Sequence, residues 1–161
     1  MIGAASGRAA AAQNPPAQNP PAGQEKPQEQ ADPLKFTTDT PVFIINSIKS
    51  EKTADFEAAW AGIRAGFAKV TDKPEIKSFG ETLTKLFKVD LGAQGASQPQ
   101  QVYIMQVDAP SKAHSYNPVK IVYDTLLGAG ALTREEADGI YNKLKDSVAN
   151  INVWPLVKIG S

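Results

Sequence analysis

The fold of this chain is decided by two short apolar runs, VFII at Val42–Ile45 and VYIM at Val102–Met105. Both are rich in β-branched and aromatic residues, which predicts two β-strands, over 42–48 and 101–107. A strand that has one face in water alternates apolar and polar residues, whereas these runs are apolar at consecutive positions and therefore on both faces. Both faces of these two strands therefore need to be covered.

A helix predicted over 52–69 follows the first strand. Its large apolar residues, Phe56, Trp60, Ile63 and Phe67, recur at the spacing of one helix face. Aromatic residues in such a stripe are usually part of a core, so this face is predicted to pack against the sheet.

Capping residues mark where the helices begin. Thr53 is the predicted N-cap of the first helix, and Asn117, which a proline follows, opens another helix that ends near Leu127. The run TREE at Thr133–Glu136 is a capping box and opens the last helix.

Two outer strands complete the sheet, over Leu83–Val89 and Val153–Ile159, and a short helical turn is predicted over 74–80. Pro155 cannot donate a ladder hydrogen bond, so the last strand is placed at an edge or a bulge. The element order is β-α-β-β-α-β, which predicts an α+β, ferredoxin-like fold. Right-handed crossovers give its antiparallel four-stranded sheet the order 4-1-3-2, with the helices on one face and the first and third strands in the centre.

The other face of this sheet needs a cover. Four large apolar side chains left in water would each forgo roughly 1.5–3 kcal/mol of burial free energy, and an apolar patch of that size marks an interface. We predict a homodimer with two-fold symmetry that forms through the open face of the sheet.

The first 33 residues differ from the rest of the chain. They contain no aromatic residue, and AQNPP at Ala12–Pro16 is repeated at Ala17–Pro21. Such a composition cannot bury enough apolar area to fold, so we predict a disordered tail (1–33) and a ferredoxin-like domain (34–161). The stretch Ala9–Gln13 resembles the cleavage end of an export signal. Two locations stay open: export to the periplasm or the outside of the cell, and the cytoplasm.

Composition excludes several classes of function. The chain has no cysteine, one histidine, and 17 basic against 17 acidic residues. Thiolate metal sites and disulfides are therefore excluded, and neither a metal nor a cofactor is predicted. A neutral chain lacks the charge of a nucleic-acid binder, and no apolar run is long enough to span a membrane. The run 42–46 resembles the first strand of an RNA-recognition motif, but Gln101–Met105 lacks the aromatic pattern that such a domain needs.

Four segments, taken in this element order, resemble the dimeric α/β-barrel superfamily: Pro41–Ile48, Phe56–Phe67, Val102–Pro110 and Ser115–Pro118. The resemblance covers the chain from about Thr40 to Gly160. It implies two ferredoxin-like protomers with joined sheets and a ligand pocket between sheet and helices. Members include cofactor-free quinol monooxygenases, lactone isomerases, haem-degrading enzymes and proteins without an assigned activity, so the fold does not select a function.

Four residues are candidates for binding a small apolar or aromatic ligand in such a pocket: Asn46, Trp60, Tyr103 and Tyr116. Tyrosine and tryptophan combine an apolar ring with one polar atom, which suits a phenolic or quinone-like ligand. The alternative is that these aromatic residues, with Tyr123 and Trp154, fill the core and the dimer interface. Asn46 equally suits a hydrogen bond at the end of a strand.

His114 is the candidate catalytic residue because it is the only imidazole available for proton transfer near neutral pH. The alternative is a solvent-facing loop histidine. Three functions stay open: ligand binding without catalysis, a cofactor-independent monooxygenase or isomerase that acts on an aromatic or quinol-type substrate, and a purely structural or interaction role. A pocket closed by bulky side chains would favour the third. In the enzyme, His114 would move the proton, and Asn46 or Tyr116 would orient the substrate.

Overall fold

The computed structural model of the protein describes residues 31–160, without the side chains of 94–96. The predicted export-signal stretch and almost all of the predicted disordered tail lie outside these residues. None of the helices within 31–160 is both long and apolar enough to cross a membrane.

Four strands and four α-helices make up the described part of the chain. The strands are β1 (Val42–Lys49), β2 (Leu86–Lys88), β3 (Gln100–Val107) and β4 (Val148–Pro155). The helices are α1 (Thr53–Ala68), α2 (Pro74–Thr82), α3 (Pro118–Lys120) and α4 (Arg134–Ser147). A π-helix, Ile121–Leu127, continues α3, and 3₁₀ turns span Ser50–Lys52 and Gly92–Ser97.

The strands form one antiparallel sheet in the order β2-β3-β1-β4. Ile44 of β1 lies opposite Met105 of β3 on one side and Val153 of β4 on the other. The α+β class and the predicted strand order, read from the opposite edge, are confirmed. The two runs that decide the fold form β1 and β3, which are the central strands.

The core lies between one face of the sheet and the helices. On β1, Val42, Ile44 and Ile48 are almost completely buried, and they share this face because side chains alternate along a strand. They belong to one cluster of buried residues with the predicted stripe of α1, Phe56, Trp60, Ile63 and Phe67. The predicted packing of α1 on the sheet is therefore confirmed.

The ends of several elements differ from the predictions. The last strand begins at Val148 and ends at Pro155 instead of spanning 153–159. The backbone N–H of Leu156 still donates to Pro41 at 2.8 Å, but Pro41 has no N–H and returns no bond, so the ladder stops there. This last strand is an edge strand, as Pro155 predicts. The second strand is shortened to three residues because α2 extends to Thr82 and its C-cap is Leu83.

Two of the three predicted helix caps are confirmed. The side chain of Asn117 accepts a hydrogen bond from the backbone N–H of Val119, and both bonds of the capping box at Thr133 are present. The prediction for Thr53 is wrong, because the 3₁₀ turn Ser50–Lys52 runs directly into α1. Thr53 therefore already has helical φ and ψ angles of −59° and −41°.

Candidate functional site

Three of the four predicted ligand-binding residues are brought together between the sheet and α1. Asn46 of β1 lies opposite Tyr103 of β3 in the ladder. The ring of Phe56 links Tyr103 to Trp60, with ring centroids 4.8 Å and 6.2 Å away. We call these four residues the Trp60 layer. All of them are almost completely buried, so bulky side chains fill the place where the resemblance predicts a pocket, which is the arrangement expected for a purely structural role.

The Trp60 layer contains polar atoms with few partners. The indole Nε1 of Trp60 is buried and has no hydrogen-bond acceptor among the described residues. The amide of Asn46 donates to the backbone oxygen of Ile44 over a long 3.4 Å. Buried donors are nearly always paired in folded proteins, so an unpaired indole N–H needs a physical explanation.

At Tyr103 the buried layer meets two half-exposed side chains, Glu57 and Lys88. The hydroxyl of Tyr103 donates to Oε1 of Glu57 at 2.5 Å, and Nζ of Lys88 bonds the same oxygen at 3.2 Å. Burial and then the bond to Glu57 raise the pKa of Tyr103 far above its usual range, so the phenol stays protonated and acts as a donor. The bonds from Tyr103 and Lys88 lower the pKa of the Glu57 carboxyl.

His114 lies elsewhere, on the loop between β3 and α3. Its ring stacks on Phe79 with centroids 4.7 Å apart, and its Nδ1 is 3.1 Å from Oγ of Ser111. Burial lowers the pKa of His114, and Lys35 lowers it further, while Glu75 opposes both. The imidazole is therefore predominantly neutral at pH 7 and able to accept a proton.

A polar cleft of about 230 Å³ opens beside His114. Lys35, Lys120, Asp124 and Thr125 are among the residues that line it. The last three belong to α3 and the π-helix that continues it. π-Helices are rare and occur frequently at functional sites, so this cleft is a second candidate site.

Tyr116, the fourth predicted ligand-binding residue, is joined to His114 and not to the Trp60 layer. Its ring packs edge-on against Phe79, with centroids 5.1 Å apart, and the ring of His114 stacks on the same phenylalanine. The hydroxyl of Tyr116 accepts the backbone N–H of Ser111 and bonds Thr82, both at 2.9 Å. Tyr116 is therefore a buried residue that holds the loop between β3 and α3, which carries His114, against α2.

The remaining aromatic candidates lie apart from both sites. Tyr123 donates to Oδ1 of Asp138 and packs against Tyr141 on α4. Trp154 lies on the sheet face opposite to the helices, where it pairs with Phe43. Among residues 31–160, no group of three or more His, Cys, Asp or Glu side chains is placed to hold a metal ion.

We call the face of the sheet opposite to the helices the open sheet face, and its large apolar residues lie beside four polar ones, Ser47, Gln106, Asn150 and Asn152. Strand alternation and register place Phe43, Ile45, Phe87, Ile104 and Trp154 on this face. Phe87 is 54% exposed and Trp154 is 59% exposed. Ile45 is buried but does not belong to the cluster of core residues between sheet and helices.

Sequence reasoning did not identify several of these residues. Phe87 lies in a predicted outer strand whose residues alternate between the two faces. This alternation, together with the strand order, would have placed Phe87 on the open sheet face. Glu57 and Lys88 carry no such signal, because their contact depends on how α1 lies across β2. Lys35, Asp124 and Thr125 meet His114 only through the packing of three separate segments.

The fold and these sites define the class of the molecule: an α+β protein with a four-stranded antiparallel sheet, one face of which is covered by helices. Comparison of the chain with protein-family models, with curated proteins and with solved structures finds no significant match.

Proposed function

We propose that this protein binds a small apolar or aromatic ligand in the Trp60 layer, as a homodimer of the α/β-barrel type. The observation that carries the proposal is the buried Nε1 of Trp60, which has no acceptor among the described residues. A buried donor without a partner costs about 1–3 kcal/mol. A ligand that carries a hydrogen-bond acceptor would remove this cost on binding.

The surroundings of Trp60 select the ligand class. The rings of Phe56 and Tyr103 favour a flat apolar body, and the amide of Asn46 offers a second polar contact. The ligand enters beside the half-exposed Glu57–Lys88 ion pair, where the layer meets solvent. Because bulky side chains fill the layer, binding requires a rotation of Trp60 or Tyr103.

Isothermal titration calorimetry with two probes of the same size tests the ligand proposal. 1,4-Naphthoquinone has carbonyl acceptors and naphthalene has none. We expect the quinone to bind about tenfold more tightly, the equivalent of one recovered hydrogen bond.

Substitution of Trp60 by phenylalanine should remove this preference, and Tyr141→Phe, a change of an aromatic residue on α4, should preserve it. Equal affinities of the wild-type protein for the two probes, or a preference that persists in Trp60→Phe, would refute the proposal.

The homodimer is proposed on the open sheet face. Phe87 and Trp154 are both more than half exposed, at the two edges of the sheet, and Phe43 and Ile104 lie between them. Monomeric soluble proteins rarely expose a continuous patch of large apolar residues. A second copy that presents the same face would cover it under two-fold symmetry.

Analytical ultracentrifugation tests the dimer. The wild-type protein should sediment as a dimer at micromolar concentration, and Phe87→Lys and Trp154→Lys should sediment as folded monomers. The control is Val157→Lys, because Val157 is 83% exposed but lies beyond the end of β4. A wild-type monomer, or lysine variants that stay dimeric, would contradict the proposed interface.

A second candidate function, a cofactor-independent monooxygenase or isomerase, is favoured by the neutral imidazole of His114 at its cleft. For oxygenation, His114 would take a proton from an activated CH₂ group of an aromatic substrate, and the carbanion would reduce O₂. One oxygen atom would end as the product carbonyl and the other as water.

An oxygen electrode tests this function with anthrone as the probe. The wild-type protein should consume O₂, and His114→Gln should not. Lys112→Gln, on the same loop, should retain the rate. Uptake by the wild-type protein no faster than in buffer, or an unchanged rate in His114→Gln, would exclude the mechanism.

A further inference from the structure

A groove between α1 and α2 is lined by residues that belong to neither candidate site. It has a volume of about 280 Å³, and its floor is formed by Ile63, Phe67 and Leu83. These side chains belong to the core, so the groove opens directly onto the apolar interior. Neither the Trp60 layer nor the residues around His114 contribute to its lining.

The close approach of α2 to α1 shapes the floor of the groove. A Cβ atom built on Gly80 would lie 2.6 Å from Cδ1 of Phe67, well inside van der Waals contact. The ring of Phe67 therefore packs directly on the backbone of α2, and its edge-on contact with Phe79, at 5.8 Å between centroids, fixes its orientation. The groove is thus lined by a side chain with little freedom to move.

The rim of the groove carries an excess of positive charge. Arg64 of α1 and Lys77 of α2 line it, together with one acidic residue, Glu81. All three are exposed, and none forms an ion pair with another described residue. An apolar floor beneath two cations and one carboxylate is complementary to a molecule with an apolar body and one negative charge.

We propose that this groove binds a small amphipathic monoanion, a carboxylate on a short hydrocarbon or aromatic body. The apolar body lies on Ile63, Phe67 and Leu83, and the carboxylate is paired with Arg64 and Lys77. A groove of this volume takes roughly ten non-hydrogen atoms, since one water occupies about 30 Å³ in the liquid. The site is independent of the proposed function, because it shares no residue with the Trp60 layer.

Three probes with the same eight-carbon chain test the charge requirement: octanoate, 1-octanol and octylammonium. Binding is measured by ligand-observed NMR and titration calorimetry on the full chain. Octanoate should bind saturably and about tenfold more tightly than octylammonium, and this difference should shrink as salt is added. Equal affinities for octanoate and octylammonium, or no saturable binding of octanoate, would overturn the proposal.

Variants at the rim locate the site. The double variant Arg64→Gln/Lys77→Gln should lose about tenfold in octanoate affinity and keep its affinity for octanol, while Glu81→Gln should bind octanoate more tightly. Lys143→Gln, an exposed lysine on α4, is the matched control and should change nothing. Unchanged octanoate affinity in the double variant would place the site elsewhere.

A glycine pair tests the floor. Gly80→Ala forces the ring of Phe67 to shift and should weaken octanoate and octanol alike, whereas Gly139→Ala, where a Cβ meets nothing within 4 Å, should weaken neither. An unchanged affinity in Gly80→Ala would contradict the proposed floor. Trp60→Phe should leave octanoate binding intact, so a failure of this site and a failure of the proposed function are separable.

Discussion

The two faces of the sheet are built from similar side chains and have different surroundings. On β1, Ile44 faces the helices and belongs to the core cluster, while the adjacent Phe43 faces away and stays partly exposed. The helix face also holds a buried amide, Asn46, and the open sheet face holds an exposed indole, Trp154. Apolar composition alone therefore does not reveal which face of the sheet is buried by the helices of the same chain.

The largest expected effect separates neighbouring residues on the two faces. Ile44→Ala should lower the free energy of unfolding by about 2–5 kcal/mol, because it leaves a cavity in the core. This loss should be the same at every protein concentration, whereas the loss in Phe43→Ala should appear only where the dimer is populated. Urea denaturation at two concentrations measures both. A concentration-independent loss in both variants would show that the open sheet face is covered within one chain.

The two tryptophans report on the two faces separately. In the single-tryptophan variant Trp154→Phe, acrylamide should quench the remaining Trp60 weakly at all protein concentrations, because Trp60 is only 2% exposed. In Trp60→Phe, quenching of Trp154 should be strong in dilute protein and should fall several-fold as the dimer forms. Quenching of Trp154 that does not depend on protein concentration would speak against the dimer.

Substitution of Asn46, the buried amide on the helix face, should have a smaller effect on stability. Because the side chain of Asn46 makes a single, long hydrogen bond to the described part of the chain, Asn46→Leu should change the free energy of unfolding by no more than about 1 kcal/mol. It should also weaken the binding of 1,4-naphthoquinone. Asn152→Leu, which lies opposite Ile45 on the open sheet face, is the matched control and should leave quinone affinity unchanged.

Destabilisation of Asn46→Leu by more than about 2 kcal/mol would show that the amide is needed for the fold. It would then not be available to a ligand.

The smallest expected effect is the pH dependence at the solvent edge of the Trp60 layer. The native pKa of Glu57 lies below its ordinary value of 4.5, so the stability that its bonds contribute is complete above that value and lost as pH falls through the native pKa. The carboxylate is half exposed, so less than about 1 kcal/mol is at stake. Tyr103→Phe and Glu57→Gln should both flatten this part of the stability profile, measured by thermal unfolding between pH 3 and 6. An unchanged acid slope in both variants would show that the bond between Tyr103 and Glu57 contributes nothing.

Much of the fold could be predicted because its signals are local. The consecutive apolar residues of β1 and β3, the stripe of α1 and the capping box at Thr133 are each signals carried by residues that are close together in the sequence. Predictions failed at boundaries that depend on neighbours. Thr53 is helical instead of capping because the preceding 3₁₀ turn runs into α1. The last strand ends at Pro155 because Pro41, which accepts the backbone N–H of Leu156, has no N–H with which to return a ladder bond.

The candidate sites could be predicted only in part. Asn46, Trp60 and Tyr103 lie together because strand pairing and the α1 stripe already brought their elements into contact. The pairing of Glu57 with Tyr103 and Lys88 required the position of α1 over the sheet edge. The placement of Tyr116 beside His114 required Phe79, a residue of a helix predicted only as a short turn.

The sequence by itself determined the order of the elements, the central position of β1 and β3, and the apolar character of both faces of these strands. Periodicity fixes the elements and their faces, because a strand shows its two faces in alternate residues, and the handedness of the crossovers fixes which strands are central. Only the tertiary structure decided that Trp60 is buried without an acceptor among residues 31–160, that His114 lines a polar cleft, and that Arg64 and Lys77 share the rim of an apolar groove. These are contacts between segments distant in the chain, and they depend on how helices of given length and start point pack on the sheet.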